Sequence, residues 1–327
     1  MMRIEVIVCC CLLLTAAGAP GLLLAQTEDS IEEIEYAEHL PLVTQSLLLD
    51  TIKAGDRLLA VGERGHIVWS DDDGETWQQA DVVPTRSTLT TLESSGGRLW
   101  AAGHDTVILT SSDGGRNWTR QFFDPERFQP VMDLHFFDER HGLAIGAYGL
   151  MLVTRDGGET WEDWAVNDED SWHLNSIVEL GDGTLLIAGE AGYSYRSHDQ
   201  GETWEALDLP YQGSMFRALE IEKGCVLFAG LRGHVMRSCD GGDTWSEAGT
   251  GLEATLMDGV QAGRRTLLVG NGGVIIERLG ANDYRAVAHP SGVDFASVLN
   301  LGDGRFLLTG EEGFYRYPVA TDTGDGS

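Results

Sequence analysis

The sequence predicts an all-β chain folded as a seven-bladed β-propeller, on three observations. A short apolar run ends in a Gly-x-x-Gly type turn seven times, opening at Gly62, Gly103, Gly146, Gly189, Gly230, Gly270 and Gly310. Successive turns lie 41, 43, 43, 41, 40 and 40 residues apart, a period typical of propellers and solenoids, in which each repeat buries its apolar face against the next. Five turns are followed by a Ser/Thr-x-Asp-x-Gly-x-x-Trp box, and no stretch after the leader carries the 3.6-residue apolar periodicity of a helix.

The chain opens on a targeting segment. Met1-Met2-Arg3 is a weakly basic start, residues 6–14 are apolar, and Ala25 offers a small residue at a cleavage point, with Ala17-Gly18-Ala19 as an earlier option. Thr15, Gly18 and Pro20 interrupt the run before it reaches the roughly 20 apolar residues that a membrane span requires. Residues 1–25 are therefore expected to be a signal peptide, residues 26–320 the propeller and residues 321–327 a disordered tail. Export places the mature chain in the periplasm, with no membrane insertion after cleavage.

The first repeat shows the unit. Residues 46–52, 57–61, 66–69 and 76–82 read as four short strands, separated by Ala54-Gly55-Asp56, by the turn at Gly62 and by the first box. Four strands joined by tight turns make one propeller blade. The boxes are Ser70-Asp72-Gly74-Trp77, Ser111-Asp113-Gly115-Trp118, Thr154-Asp156-Gly158-Trp161, Ser197-Asp199-Gly201-Trp204 and Ser238-Asp240-Gly242-Trp245. Hydroxyl and carboxylate accept hydrogen bonds from nearby N–H groups while Gly takes a positive φ, so each box reads as a structural hairpin between the outer two strands. Spread around a ring, the box aspartates do not converge on one metal ion.

Repeat six replaces the box with residues 277–283, and repeat seven stops after Pro318. Blade seven thus lacks an outer strand, and residues 34–40, Ile-Glu-Tyr-Ala-Glu-His-Leu, are expected to supply it and close the ring.

The 52 acidic residues outnumber the 22 basic ones, for a net charge of −30, which excludes nucleic acid as a partner. Only Lys53 and Lys223 are lysines; the other basic residues are arginine. Of five cysteines, three lie in the leader, leaving Cys225 and Cys239 to flank the turn at Gly230, where an oxidising compartment permits a cross-strand disulfide. The sequence has no Gly-x-Ser-x-Gly elbow, His-Glu-x-x-His site or phosphate-binding loop opening a helix. No cofactor or metal site is expected, and the chain is read as a monomer.

Topology places the Gly-x-x-Gly turns and the links between blades on one face and the boxes on the other. Irregular links on a rigid ring are where recognition concentrates. The first face is expected to present Arg64, Arg86, His104, Tyr148, Trp172, His173, Tyr211, Met215, Phe216, Arg217 and Arg232 to a partner, residue types enriched at protein interfaces.

The repeat, as in Gly189-Glu190-Ala191-Gly192 followed by Ser197-His198-Asp199-Gln200-Gly201-Glu202-Thr203-Trp204, resembles the Asp-box repeats of the photosystem II stability and assembly factor family. The resemblance covers essentially the whole mature chain. It implies an exported, seven-bladed, non-enzymatic propeller that serves as an assembly, stability or interaction scaffold for a membrane-associated protein complex, here in a non-photosynthetic bacterial relative. Members that act on photosystem subunits carry an Arg patch on one face, whereas Arg64, Arg86, Arg217 and Arg232 are scattered in an acidic chain. The alternative is a glycoside hydrolase. A sialidase-like site would use Arg64, Arg217 and Arg232 with Tyr148 and Glu190, and a glucanase-like site would pair carboxylates such as Asp105, Glu190 and Glu311. Such sialidases usually have six blades and an Arg-Ile-Pro tripeptide, and this chain has seven repeats and no such tripeptide.

Overall fold

The computed structural model describes residues 34–167, 171–281 and 283–318. The expected signal peptide and tail lie outside them. Seven antiparallel sheets form in chain order, each with its strands in sequence order from the inside outwards. Blade one is Leu48–Ala54, Arg57–Gly62, Ile67–Ser70 and Gln78–Gln79. The innermost strands of the other blades are Leu89–Ser95, Val131–Phe136, Leu174–Glu179, Met215–Glu222, Leu256–Ala262 and Phe295–Gly302. Each packs beside the next, and Phe295–Gly302 returns to Leu48–Ala54, which closes the ring. Apolar clusters fill the spaces between neighbouring blades. One joins Leu59, Ile67 and Trp69 of blade one to Leu89, Leu99 and Leu109 of blade two.

One hydrogen bond recurs in every blade. The N–H of the first residue after the turn glycine donates to the carbonyl just before the innermost strand of the same blade. The pairs include Glu63 to Leu47 (3.1 Å), His104 to Thr88 (2.8 Å), Ala147 to Pro130 (3.0 Å) and Glu190 to His173 (2.9 Å), and continue to Glu311 to Asp294 (3.3 Å). The glycine itself is extended, with φ −173° at Gly62 and −176° at Gly270. It is needed for close approach: a Cβ on any of the seven would lie 1.9–2.8 Å from that carbonyl oxygen.

The boxes form the expected hairpins. In the first, Ser70 Oγ donates to Asp72 Oδ1 (2.7 Å) and accepts from the Gly74 N–H (2.9 Å), while Asp72 accepts from the Thr76 N–H (2.8 Å) and hydroxyl (2.6 Å). The Trp77 indole closes the loop on the Gly74 carbonyl at 3.2 Å. These bonds, the Thr76 hydroxyl first among them, hold the Asp72 carboxyl down at about 2, and Thr244 and Ser238 do the same for Asp240. Asp199 is lowered in the same way, and at Asp113 and Asp156 the hydrogen bonds outweigh the upward push of partial burial.

Arginine reaches from blade to blade across this face. Arg57 donates to the Gly114 carbonyl (2.8 Å), Arg98 to Gly157 (3.0 Å), Arg196 to Gly241 (2.9 Å) and Arg316 to Asp73 (3.0 Å), each time into the box of the following blade. Arg57 also makes a bidentate pair with Asp71 and lies 4.1 Å over the Trp69 ring. A planar donor fork can serve several acceptors at once where lysine offers a point charge, which suits arginine to these four crossings. Cys225 and Cys239 are joined as a disulfide across the second and third strands of blade five.

The expected closing strand is corrected. Residues 34–40 form no strand, and the last sheet has three strands among the described residues. The segment's backbone groups go to blade one: Ala37 N–H to the Val83 carbonyl (3.0 Å), and Glu38 C=O and Leu40 N–H to the Gln79 side chain (2.8 and 3.1 Å). Blade one's outermost strand is only Gln78–Gln79, so its uncovered edge takes the segment first. Blades seven and one instead meet through Trp77 stacked on Phe314 (3.8 Å), a Thr51–Thr309 hydroxyl pair (3.1 Å) and the Arg316–Glu75 ion pair.

Two outcomes follow. Gly62→Ala and Gly270→Ala should each destabilise the fold by about 3 kcal/mol in chemical denaturation, whereas Gly249→Ala, with open space around it, should cost under about 1 kcal/mol. Because the box carboxyls are held below their ordinary value, their stabilisation is present above pH ~4 and lost as pH falls toward ~2. Asp72→Asn should therefore flatten that part of the acid-denaturation curve and leave the region above pH 5 parallel to wild type.

Candidate functional site: the turn-and-link face and the channel

The repeated turn-to-link hydrogen bond sets each turn beside the link of its own blade, so the two form one surface. The residue at the apex of the turn is left-handed in five blades without being glycine: Arg64, Asp105, Tyr148, Ala191 and Arg232, with φ between 54° and 58°. Such a conformation costs of order 1 kcal/mol for a residue with a side chain, and Arg64, Tyr148 and Arg232 are exposed there.

Blades three and four carry an aromatic arc on this face. Tyr148, 58% exposed, meets the His173 ring edge-on at 4.7 Å, and Trp172 stacks on Tyr193 at 4.7 Å and 17°. The Gly149 N–H donates to the Trp172 carbonyl (2.9 Å), which binds the blade-three turn to the following link. Phe128, 79% exposed, precedes Gln129, whose amide donates to the Tyr148 carbonyl (3.2 Å). Trp172 and Tyr193 remain 37% and 38% exposed even though stacked. The sequence reading of candidate residues missed Tyr193. Its signal was available: it follows Gly192 at the position that His66 and His234 hold after Gly65 and Gly233.

The remaining candidates separate. His104 and Arg232 are exposed on the turns. Arg64 lies 3.8 Å from Glu63, and Arg86 pairs with Glu38 at 3.2 Å. Tyr211 is half-buried, stacked on His234 at 3.8 Å with its hydroxyl donating to the Leu231 carbonyl. Three residues are corrected. Met215 is fully buried in the core between blades four and five, and Phe216 and Arg217 line the central channel. All three open the innermost strand of blade five, where the pairing register shifts between Met215 and Arg217, and this strand packs into the core on one side and walls the channel on the other.

The channel is a cavity of about 90 Å³ walled by the innermost strands. The third residue of each strand forms a belt: Asp50, Thr91, Asp133, Ser176, Arg217, Asp258 and Ser297. Four belt acceptors take the N–H of the residue just after the belt position of the next innermost strand. Asp50 accepts from Leu92 (2.7 Å), Asp133 from Ile177 (2.9 Å), Ser176 from Ala218 (3.2 Å) and Asp258 from Val298 (2.8 Å). Arg217 Nε lies 3.0 Å from Asp258. Burial, and then the neighbouring Asp258 charge, push the Asp50 carboxyl up to about 7 against the pull of the Leu92 N–H. Burial likewise raises Glu93 to about 8 and raises Asp133, which Arg217 partly offsets.

A raised carboxyl stabilises the fold only while it can stay protonated. The Asp50 contribution is complete below pH ~4 and is lost as pH rises to about 7. Asp50→Asn keeps an oxygen for the Leu92 N–H and removes the charge. It should be more stable than wild type by roughly 1–3 kcal/mol at pH 8, with the difference vanishing near pH 4. Denaturation across that range measures it, and a variant less stable at pH 8 contradicts the assignment.

The comparisons with known proteins bear on the chain as a whole. The model of the Photosynthesis system II assembly factor YCF48 family matches residues 124–303. The chain is 38% identical over 48 residues to photosystem II assembly protein Ycf48 of Thermosynechococcus vestitus, and 44% identical over 48 residues to photosystem II assembly lipoprotein Ycf48 of Prochlorococcus marinus. Each stretch spans 14% of this chain and 14% of the relative. Among solved structures, YCF48 bound to D1 peptide superposes with a TM-score of 0.70 at 16% identity, covering 88% of this chain and 95% of that one. YCF48 from Cyanidioschyzon merolae gives 0.65 at 17%, covering 86% and 97%, and virginiamycin B lyase from Staphylococcus aureus gives 0.72 at 10%, covering 87% and 98%. At these identities the structural likenesses speak for the propeller fold alone. The family model, matched over more than half of the chain, goes further: the chain belongs to the photosystem II assembly factor YCF48 family.

Proposed function

We propose that this protein is an exported, non-enzymatic scaffold that holds a segment of a membrane-associated protein complex on its turn-and-link face during assembly. The observation that carries the reading is the exposed aromatic arc of Phe128, Tyr148, Trp172 and Tyr193 on rigidly anchored backbone. Exposed large aromatics side by side are unusual on a monomer surface and typical of interface anchors. Family membership supports the assembly role, and one of the similar solved structures is YCF48 bound to D1 peptide. Export to the periplasm is supported by the apolar leader and by a relative described as a lipoprotein. The monomeric state is part of the same proposal.

The geometry favours binding over hydrolysis. Of the groups a sialidase-like site would need, Arg217 is engaged with Asp258 in the channel, while Arg64, Tyr148, Glu190 and Arg232 sit on the turns of four different blades. Asp105, Glu190 and Glu311 likewise belong to the turns of blades two, four and seven. Asp105 is hydrogen-bonded by the Ser87 hydroxyl (2.6 Å), and Glu190 faces the His173 ring (3.9 Å).

Crosslinking in intact cells followed by mass spectrometry tests the reading. The triple variant Phe128→Ala, Tyr148→Ala, Trp172→Ala should reduce recovered partner at least tenfold, as loss of interface anchors does, with a melting temperature within about 3 °C of wild type. Unchanged crosslinks would place the partner elsewhere, and turnover of a sialic-acid or glucan reporter would replace binding with catalysis.

A further inference from the structure

The arc is not electrically neutral ground. In the turns of blades two to four and the described parts of the two links that join these blades, the carboxylates are Asp105, Asp124, Glu126 and Glu190, and the sole arginine is Arg127. Arg127 is already held by Asp124 at 2.7 Å and by Asp163. Elsewhere on this face Arg64 and Arg86 stand beside Glu63 and Glu38, and Arg232 is on blade five, beyond the arc. The whole chain adds a net charge of −30, which attracts cations over long range. Locally, aromatic ring faces hold a cation within about 6 Å of the ring centre, arginine especially.

We propose that the arc of blades three and four receives an extended, basic segment of its partner protein. Lysine or arginine side chains would lie over the rings of Tyr148 and Trp172 and against Glu126 and Glu190, and apolar side chains would cover Phe128. The inference rests on the turn-and-link face being the partner surface, and it adds the chemistry of what binds there.

Fluorescence anisotropy with the purified full chain and labelled twelve-residue peptides tests it. One peptide carries four Lys among Leu, Ser and Gly; in two others the four Lys become Gln or Glu. The Lys peptide should bind at least tenfold more tightly than the Gln peptide and weaken with added NaCl, and the Glu peptide should not bind. The double variant Tyr148→Ala, Trp172→Ala leaves the net charge unchanged and should lose at least tenfold in affinity. Tyr148→Phe, Trp172→Phe should restore most of it. Glu126→Gln with Glu190→Gln should weaken the Lys peptide and leave the Gln peptide as it was. Equal or tighter binding of the Gln or Glu peptide overturns the proposal. So does full binding of the Lys peptide to the alanine double variant, which would mark attraction by overall charge alone. Loss of cellular crosslinks in that variant without Lys-peptide binding would sink the basic-segment chemistry while the face stands. Retained crosslinks would sink the face itself.

Discussion

The contact on which the rest of this propeller depends is the approach of each turn glycine to the carbonyl that precedes its own innermost strand. A peptide N–H directed at that oxygen, with no Cβ in the way, fixes the second strand against the first at the same height in all seven blades. A ring closes only if its units share one geometry, and this contact enforces it. It also decides where the surface is: the turn apex and the link are drawn into one patch per blade, and the patches tile a single face.

The opposite face is organised by different chemistry. There the boxes satisfy their own N–H groups through a hydroxyl and a carboxylate, and arginines cross from one blade to the box of the next. The channel between the faces is tied by belt carboxylates and hydroxyls that accept N–H groups from later innermost strands. Burial pushes the Asp50 carboxyl up to about 7 and raises Asp133, while hydrogen bonds hold the Asp72 carboxyl of the first box down at about 2. The two ends of the acid range therefore load different parts of the molecule.

Much of this was legible in the residues. The seven glycines, the five boxes and the short apolar runs between them specify local turns and strands, and local chemistry survives folding unchanged. What the glycines do was less evident, since a Gly-x-x-Gly pattern suggests positive φ at the first glycine, while Gly62 and its equivalents are extended and the left-handed residue is Arg64, Tyr148 or Arg232. Residues 34–40 read as the closing strand because blade seven lacks an outer strand and they directly precede the first repeat; that Gln79 would meet their backbone groups with its side chain was not visible in the sequence. Arg217 looked like a surface cation because the partners that hold it in the channel lie 41 to 167 residues away.

The sequence by itself determined the number of blades, the box hairpins and which face carries the irregular links, because a repeat of about forty residues has few ways to bury its apolar strands. Only the tertiary structure decided which of the link residues are displayed. Phe128, Tyr148, Trp172 and Tyr193 stand out because adjacent blades bring turn and link aromatics side by side, and Met215, Phe216 and Arg217 do not because they open an innermost strand, Met215 in the core and the other two on the channel wall. Exposure is a property of neighbours, and in a ring the neighbours come from the next repeat.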